Sequence, residues 1–220
     1  IINVFCVDGL VDQELFDEAV LKSLKFDPYL ARCQTERQLM DYLLEGGAYH
    51  IFTSEETDYD LLIKSVLSGM IALIFDFEAK AIIYDLKNFD KRSIEEPSEE
   101  NVIKGSKESF IESMRTNTAL IRRRIRSEKL VVEKLSAGRL SKTDMSLVYI
   151  SDIANPDTVN KIREIINNID IDNIPTAAFV EEYLNENKHS IFPQVMYTQR
   201  PDRVSSNLTD GRVALVVDGI

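Results

Sequence analysis

Arg122, Arg123, Arg124 and Arg126 form the densest basic cluster of the chain, and a second charged set, Arg200, Asp202, Arg203, Arg212 and Asp218, lies near its end. Guanidinium groups grip carboxylates bidentately. A ligand of amino-acid type needs one anion site and one cation site, and these residue types supply both. Nothing in their spacing makes them converge. Other chemistries find no constellation. The two histidines, His50 and His189, lie far apart and carry no metal-ligand spacing. No phosphate-cradling G-x-x-x-x-G-K-[ST], no G-x-G-x-x-G and no G-x-S-x-G occurs. The pairs Glu55-Glu56 and Glu99-Glu100 sit in hydrophilic stretches and read as solvated faces. No catalytic, metal or cofactor residue is assigned, and the chain is not expected to be an enzyme.

The basic cluster ends a segment, residues 95–126, that joins two halves. From about Lys107 its apolar residues Phe110, Met114, Ile121 and Ile125 recur at helical spacing, with Gly105 and Ser106 as break and N-cap. At 100° per residue Asn117 falls inside the apolar stripe and Arg124 on its edge, while Arg115, Arg122 and Arg126 share the opposite, wet face. A buried amide without partners costs roughly 1–3 kcal/mol. Asn117 is therefore either a core residue fastening a neighbouring loop or a polar group facing a cleft. The arginines either end a solvated helix, suiting its dipole, or anchor carboxylates. Arg200-Pro201-Asp202-Arg203 reads as a turn whose arginines reach carboxylates such as Glu95, Glu96 and Glu99.

Before this segment, residues 2–7 read as a strand and Asp12 caps a helix. Residues 35–38 form a capping box for a helix stopped at Gly46-Gly47. Residues 49–53 read as a strand, and Asp58 caps a helix ending at Gly69. MIALIF (70–75) is a buried central strand and AIIYDL (81–86) returns beside it. After the segment, residues 130–135 and 145–150 read as strands. Asn155 and Pro156 open a helix, residues 176–185 form another, 195–197 a short strand and 213–217 a buried one. The fold class is α/β: two mixed α/β subdomains, 1–94 and 107–220, joined by a linker at 95–106.

The net charge of −11 is uneven: about −12 over residues 1–100, about +6 over 101–150 and about −5 over 151–220. One basic band on an acidic chain is not the broad basic face of a nucleic-acid binder and suits subunit contact. Two cysteines, Cys6 and Cys33, are too few for a disulfide framework and read as buried thiols in a reducing compartment. No apolar run reaches the roughly 18 residues of a membrane span, and no signal peptide is read. Asn207-Leu208-Thr209 fits the glycosylation pattern without a secretory context.

Two blocks resemble the A-subunit family of GerA-type spore germinant receptors from endospore-forming bacteria. The first follows E-P-x-x-E and then G-P-x-x-x-F-x-E-x-x-x-x-N-x-x-x-I-R-x-R, through Glu96, Pro97, Glu100, Gly105, Phe110, Glu112, Asn117, Ile121, Arg122 and Arg124, with Ser106 in place of the Pro. The second carries F-P-Q, R-P-D and G-R-V-A-L-x-V-D-G through Phe192, Pro193, Gln194, Arg200, Pro201, Asp202, Gly211, Arg212, Asp218 and Gly219, with Asp210 where the family has Glu. The resemblance implies two lobes akin to two-lobed solute-binding proteins. It also implies a membrane region after residue 220, and B and C receptor subunits as partners in the spore inner membrane. Self-association of A subunits and a response to amino acids, sugars or nucleosides follow from it too. With neither a signal sequence nor a disulfide framework read, this part is expected on the cytoplasmic, core-facing side. Asn117, Arg122, Arg124, Arg200, Asp202, Arg212 and Asp218 are the candidate binding or interface residues. The alternative is a small-molecule binding module in its own right, and a sporulation paralogue of the receptor is a third reading.

Overall fold

The computed structural model describes residues 2–30, 33, 35–47, 53–87, 108–185, 190 and 192–219. The chain divides into two compact units, Ile1–Asp90 and Lys91–Ile220. The expected linker at 95–106 lies outside the described residues, as do His50 and His189.

The first unit is a four-stranded antiparallel sheet in the order β1-β3-β4-β2: β1 Ile2–Phe5, β2 Thr53–Glu56, β3 Ile71–Phe75 and β4 Ala81–Tyr84. The two continuously apolar runs take the centre, where both faces are covered. Ile71, Leu73, Phe75, Ile82 and Tyr84 share one face and form a core with Phe16, Val20, Met40 and Leu43. Those residues come from a helical run, α1 Gln13–Phe16 and α2 Lys22–Phe26 joined by a π-helical turn at Asp17–Leu21, and from α3 Glu36–Leu44. Helix α4, Tyr59–Leu67, packs against β2, β3 and β4 and contains no fully buried residue. The expected caps hold: Asp12 accepts from the Leu15 amide (2.9 Å), Thr35 from Gln38 (3.3 Å) and Asp58 from Asp60 (2.8 Å) and Leu61 (3.0 Å). The strand expected at 49–53 is described only from Thr53, where β2 begins. The cysteines correct the sequence reading. Cys6, just past the edge strand β1, is exposed, and Cys33 is half-buried.

The second unit sandwiches a three-stranded antiparallel sheet between two helical layers. The strands β5 Leu130–Ala137, β6 Thr143–Ile150 and β7 Ala214–Val217 stand in the order β5-β6-β7. With period-2 alternation, Leu130, Val148, Ile150, Ala214 and Val216 meet α5 Met114–Arg124 and α8 Pro201–Thr209 through Ile121, Val204 and Leu208. Met145, Leu215 and Val217 face the other way, onto Ile162, Ile166 and Val180 of α6 Pro156–Asn167 and α7 Ala177–Leu184. Asn155 caps α6 by accepting from the Asp157 amide (2.9 Å), with Pro156 in the first turn. Arg163 of α6 clamps Glu133 of β5 with two bonds, 2.6 and 2.8 Å.

Mixed α/β character is therefore what the structure shows, and every described strand pairing is antiparallel. Two elements differ from the sequence reading. Residues 195–197 belong to no strand. β7 is half-buried throughout rather than buried, because it is an edge strand.

Candidate functional site

Helix α5 begins at Met114, seven residues later than its apolar spacing suggests, with Ser113 as N-cap. Tertiary bonds pull residues 109–112 out of the helix. The Phe110 amide donates to the Gln199 carbonyl (2.8 Å), and the Gly219 amide donates to the Glu112 carbonyl (2.9 Å). Ile111 is held at both ends by one side chain: its amide donates to Asn117 Oδ1 (2.8 Å) and its carbonyl accepts from Nδ2 (2.6 Å). Asn117 is 3 % exposed. Both ends of its amide are engaged by the neighbouring segment, as a core fastener requires, and the residue also borders the cavity of this unit.

Asp218 has a comparable place. Its Oδ1 accepts from the Met114 amide (2.8 Å), so a carboxylate from the end of β7 sits on the first turn of α5, where unpaired amides and the dipole favour negative charge. Gly219 follows at φ 73°, a left-handed backbone that turns its amide toward Glu112.

The arginines are also drawn into local contacts. Glu108, just before α5, pairs with Arg123 and with Arg124 (2.6 Å) at the end of the same helix. Burial pushes the Glu108 carboxyl up, but the two guanidinium groups outweigh it and hold it below its ordinary value of 4.5. Arg200-Pro201-Asp202-Arg203 is not a turn. Arg200 is the N-cap of α8 and Pro201 its first residue, a position that suits a fixed φ and a missing donor. Arg200 grips Asp202, Nε at 3.1 Å and Nη2 at 2.5 Å. That bond holds Asp202 below its ordinary 3.8, burial opposing, with a further contribution from Arg124. The carboxylates expected to meet Arg200, Glu95, Glu96 and Glu99, lie outside the described residues.

Arg122 is half-buried rather than on a fully wet face, whereas Arg115 and Arg126 are exposed. Arg212 is exposed just after α8, whose end is closed by Gly211 at φ 85° and by the Arg212 amide donating to the Asn207 carbonyl (3.0 Å).

A cavity of about 930 Å³ lies along the edge of the sheet in this unit. Its walls are β7, apolar residues of α6 and α7 such as Ile162, Ile165, Val180 and Leu184, and residues 193–199. Lys161, Glu181, Glu112 and Arg212 add charge of both signs. Of the seven candidate residues only Asn117 and Arg212 line it, so the set does not converge on one site. Sequence reading missed Glu108 and the cavity. Helical spacing assigns the acidic residue to the helix itself, and the cavity walls come from five separated stretches.

Of the two sequence blocks, Phe110, Glu112, Asn117, Ile121, Arg122 and Arg124 lie in 108–113 and α5, Arg200, Pro201 and Asp202 at the start of α8, and Asp218 and Gly219 after β7, while Glu96, Pro97, Glu100 and Gly105 fall outside the described residues. The pattern of the Bacillus/Clostridium GerA spore germination protein family matches residues 1–220. The chain belongs to the GerA family. Among its relatives, stage V sporulation protein AF of Bacillus subtilis (strain 168) is 36% identical over 223 residues, covering 99% of this chain and 43% of that protein. Spore germination protein B1 of the same organism is 33% identical over 213 residues, 97% of this chain and 43% of the relative. The crystal structure of the N-terminal domain of the A subunit of the Bacillus megaterium spore germinant receptor GerK3 superimposes with a TM-score of 0.75 at 30% identity. That match covers 100% of this chain and 79% of that one. The chain spans about two fifths of the length of the curated GerA relatives it matches. No helix among its described residues is long and apolar enough to cross a membrane.

Proposed function

We propose that this chain is the N-terminal region of a spore germinant receptor A subunit, coupling nutrient sensing to receptor assembly and ion release. In this reading it works with B and C subunits at the spore inner membrane, on the core side, and associates with other A subunits. The observation that carries it is the internal use of the motif side chains. Asp218, Arg124, Arg200 and Asp202 brace one helix and its neighbours and lie outside the cavity lining, and Asn117, which borders the cavity, spends both ends of its amide on Ile111. A braced framework with charged surfaces suits transmission and contact. Nothing in it calls for catalysis.

The test reverses exposed charge away from that bracing. Arg115→Glu with Arg126→Glu in the full-length protein is expected to abolish co-purification of the A subunit with B and C from spores. The same changes in the 220-residue chain are expected to leave its unfolding midpoint within about 2 °C. Normal co-purification, or unfolding of the chain, overturns the proposal.

A second reading, a small-molecule binding module, is favoured by the cavity beside β7. It is lined by apolar side chains and charges of both signs, as ligand sites are. Stage V sporulation protein AF among the relatives keeps a sporulation role outside the receptor open as the third reading.

A further inference from the structure

We infer that residues 193–199 form a strap that closes the cavity by pairing its main chain with the outer edge of β7. The register fixes which groups are available. β7 pairs with β6 through Met145↔Val217, Ser146↔Val216, Leu147↔Leu215 and Val148↔Ala214, and the Asp218 amide donates to the Asp144 carbonyl (3.0 Å). In an antiparallel ladder alternate residues bond across. Ala214, Val216 and Asp218 therefore face β6, and Leu215 and Val217 aim their amides and carbonyls outward, into the cavity. Gly219, next in the outward set, already has a partner in Glu112 (2.9 Å). Leu215 and Val217 have none on that side among the described residues.

The wall formed by residues 193–199 is unpaired too. Val195, Met196 and Tyr197 make no main-chain hydrogen bond among the described residues, and Met196 and Tyr197 are 43 % and 56 % exposed. Valine and tyrosine are good strand formers. An unpaired strand edge invites a partner, and here two such rows line one cavity.

Direction follows from the anchors. Gln199 accepts at its carbonyl from the Phe110 amide (2.8 Å) and Ser109 Oγ (3.2 Å), while Gly219 meets Glu112. Both segments end on the same short stretch, so they run the same way and pair in parallel. The fixed end at Gln199 and Arg200 is the hinge. Closure brings Val195 beside Leu215 and Tyr197 beside Val217. This inference rests on strand geometry and stands whatever role the chain has in the spore.

The test is disulfide trapping in the 220-residue chain with Cys6→Ser and Cys33→Ser. Two double variants, Val195→Cys/Leu215→Cys and Tyr197→Cys/Val217→Cys, are treated with oxidised glutathione and read by non-reducing peptide mapping. At least one pair is expected to link within the chain, since neighbouring strands stand about 4.8 Å apart, within the Cα separation a disulfide spans. In the linked form, amide hydrogen exchange at residues 215 and 217 is expected to slow at least about tenfold, as for an open state reduced to a minor population. Exchange within β5 and β6 stays as in the reduced form. The inference is overturned if both pairs remain thiols. A link without slowing, or one that forms only as β5 and β6 lose protection, overturns it as well.

Discussion

Asn117 occupies a place on α5 that an apolar side chain would fill without desolvating an amide, and what justifies it is Ile111. The two bonds of 2.8 and 2.6 Å satisfy a peptide unit that leaves the helix just before it starts. Asn117→Leu orphans both groups, so the chain is expected to lose about 1–3 kcal/mol, checked by urea unfolding. An unchanged midpoint excludes the fastening role. Tyr84 predicts the opposite sign. It is 0 % exposed, its hydroxyl has no partner among the described residues, and burial pushes its pKa up to about 12. Tyr84→Phe removes only the unpaired oxygen and is expected to be neutral or to stabilise by up to about 1 kcal/mol. Helical periodicity was enough to place Asn117 on a buried face. Its partner was not legible, because the same periodicity assigned Ile111 to the helix.

At the scale of elements, α5 is braced by Asp218 at its start and by Glu108 at its end. The second brace titrates. The folded Glu108 carboxyl is held below 4.5, so its contribution is full above the unfolded value and is lost as pH falls through the lowered one. Glu108→Gln is expected to be less stable than the parent near neutral pH. The gap is expected to narrow as pH falls below the ordinary carboxyl value of 4.5, followed by thermal unfolding across a descending pH series. A gap independent of pH would mean that the pair with Arg123 and Arg124 contributes nothing. Elements with strong local signals were legible: β3 and β4 from unbroken apolar runs, α6 from Asn155 and Pro156, α3 and α4 from their caps. The errors fall where two local readings compete. Arg-Pro-Asp fits a turn and a helix start equally, and α8 takes the second. Gly105 and Ser106 fit a cap, but tertiary bonds to Gln199 and Gly219 delay the helix until Ser113.

For the molecule as a whole, bracing and cavity point to different uses, and they occupy the same unit. The charged candidates Arg124, Arg200, Asp202 and Asp218 are held by close partners and lie away from the cavity lining, where Arg212 is the one charged member of the set. A panel of amino acids, sugars, nucleosides and salts, scanned by thermal unfolding, separates the two uses. A ligand at 100 times its dissociation constant stabilises by roughly 2.7 kcal/mol, which for a chain of this size raises the midpoint by about 5–10 °C. If the region only transmits and assembles, every compound leaves the midpoint within about 1 °C at concentrations where salt controls do the same. If the cavity is a binding site, one chemical class moves the midpoint selectively. Arg212→Gln then removes that shift for an anionic ligand while leaving the unliganded midpoint in place, because Arg212 is exposed and its loss uncovers no buried partner. A selective shift that survives Arg212→Gln and substitution of Val180 in the apolar wall would place the ligand elsewhere and return the cavity to the strap alone.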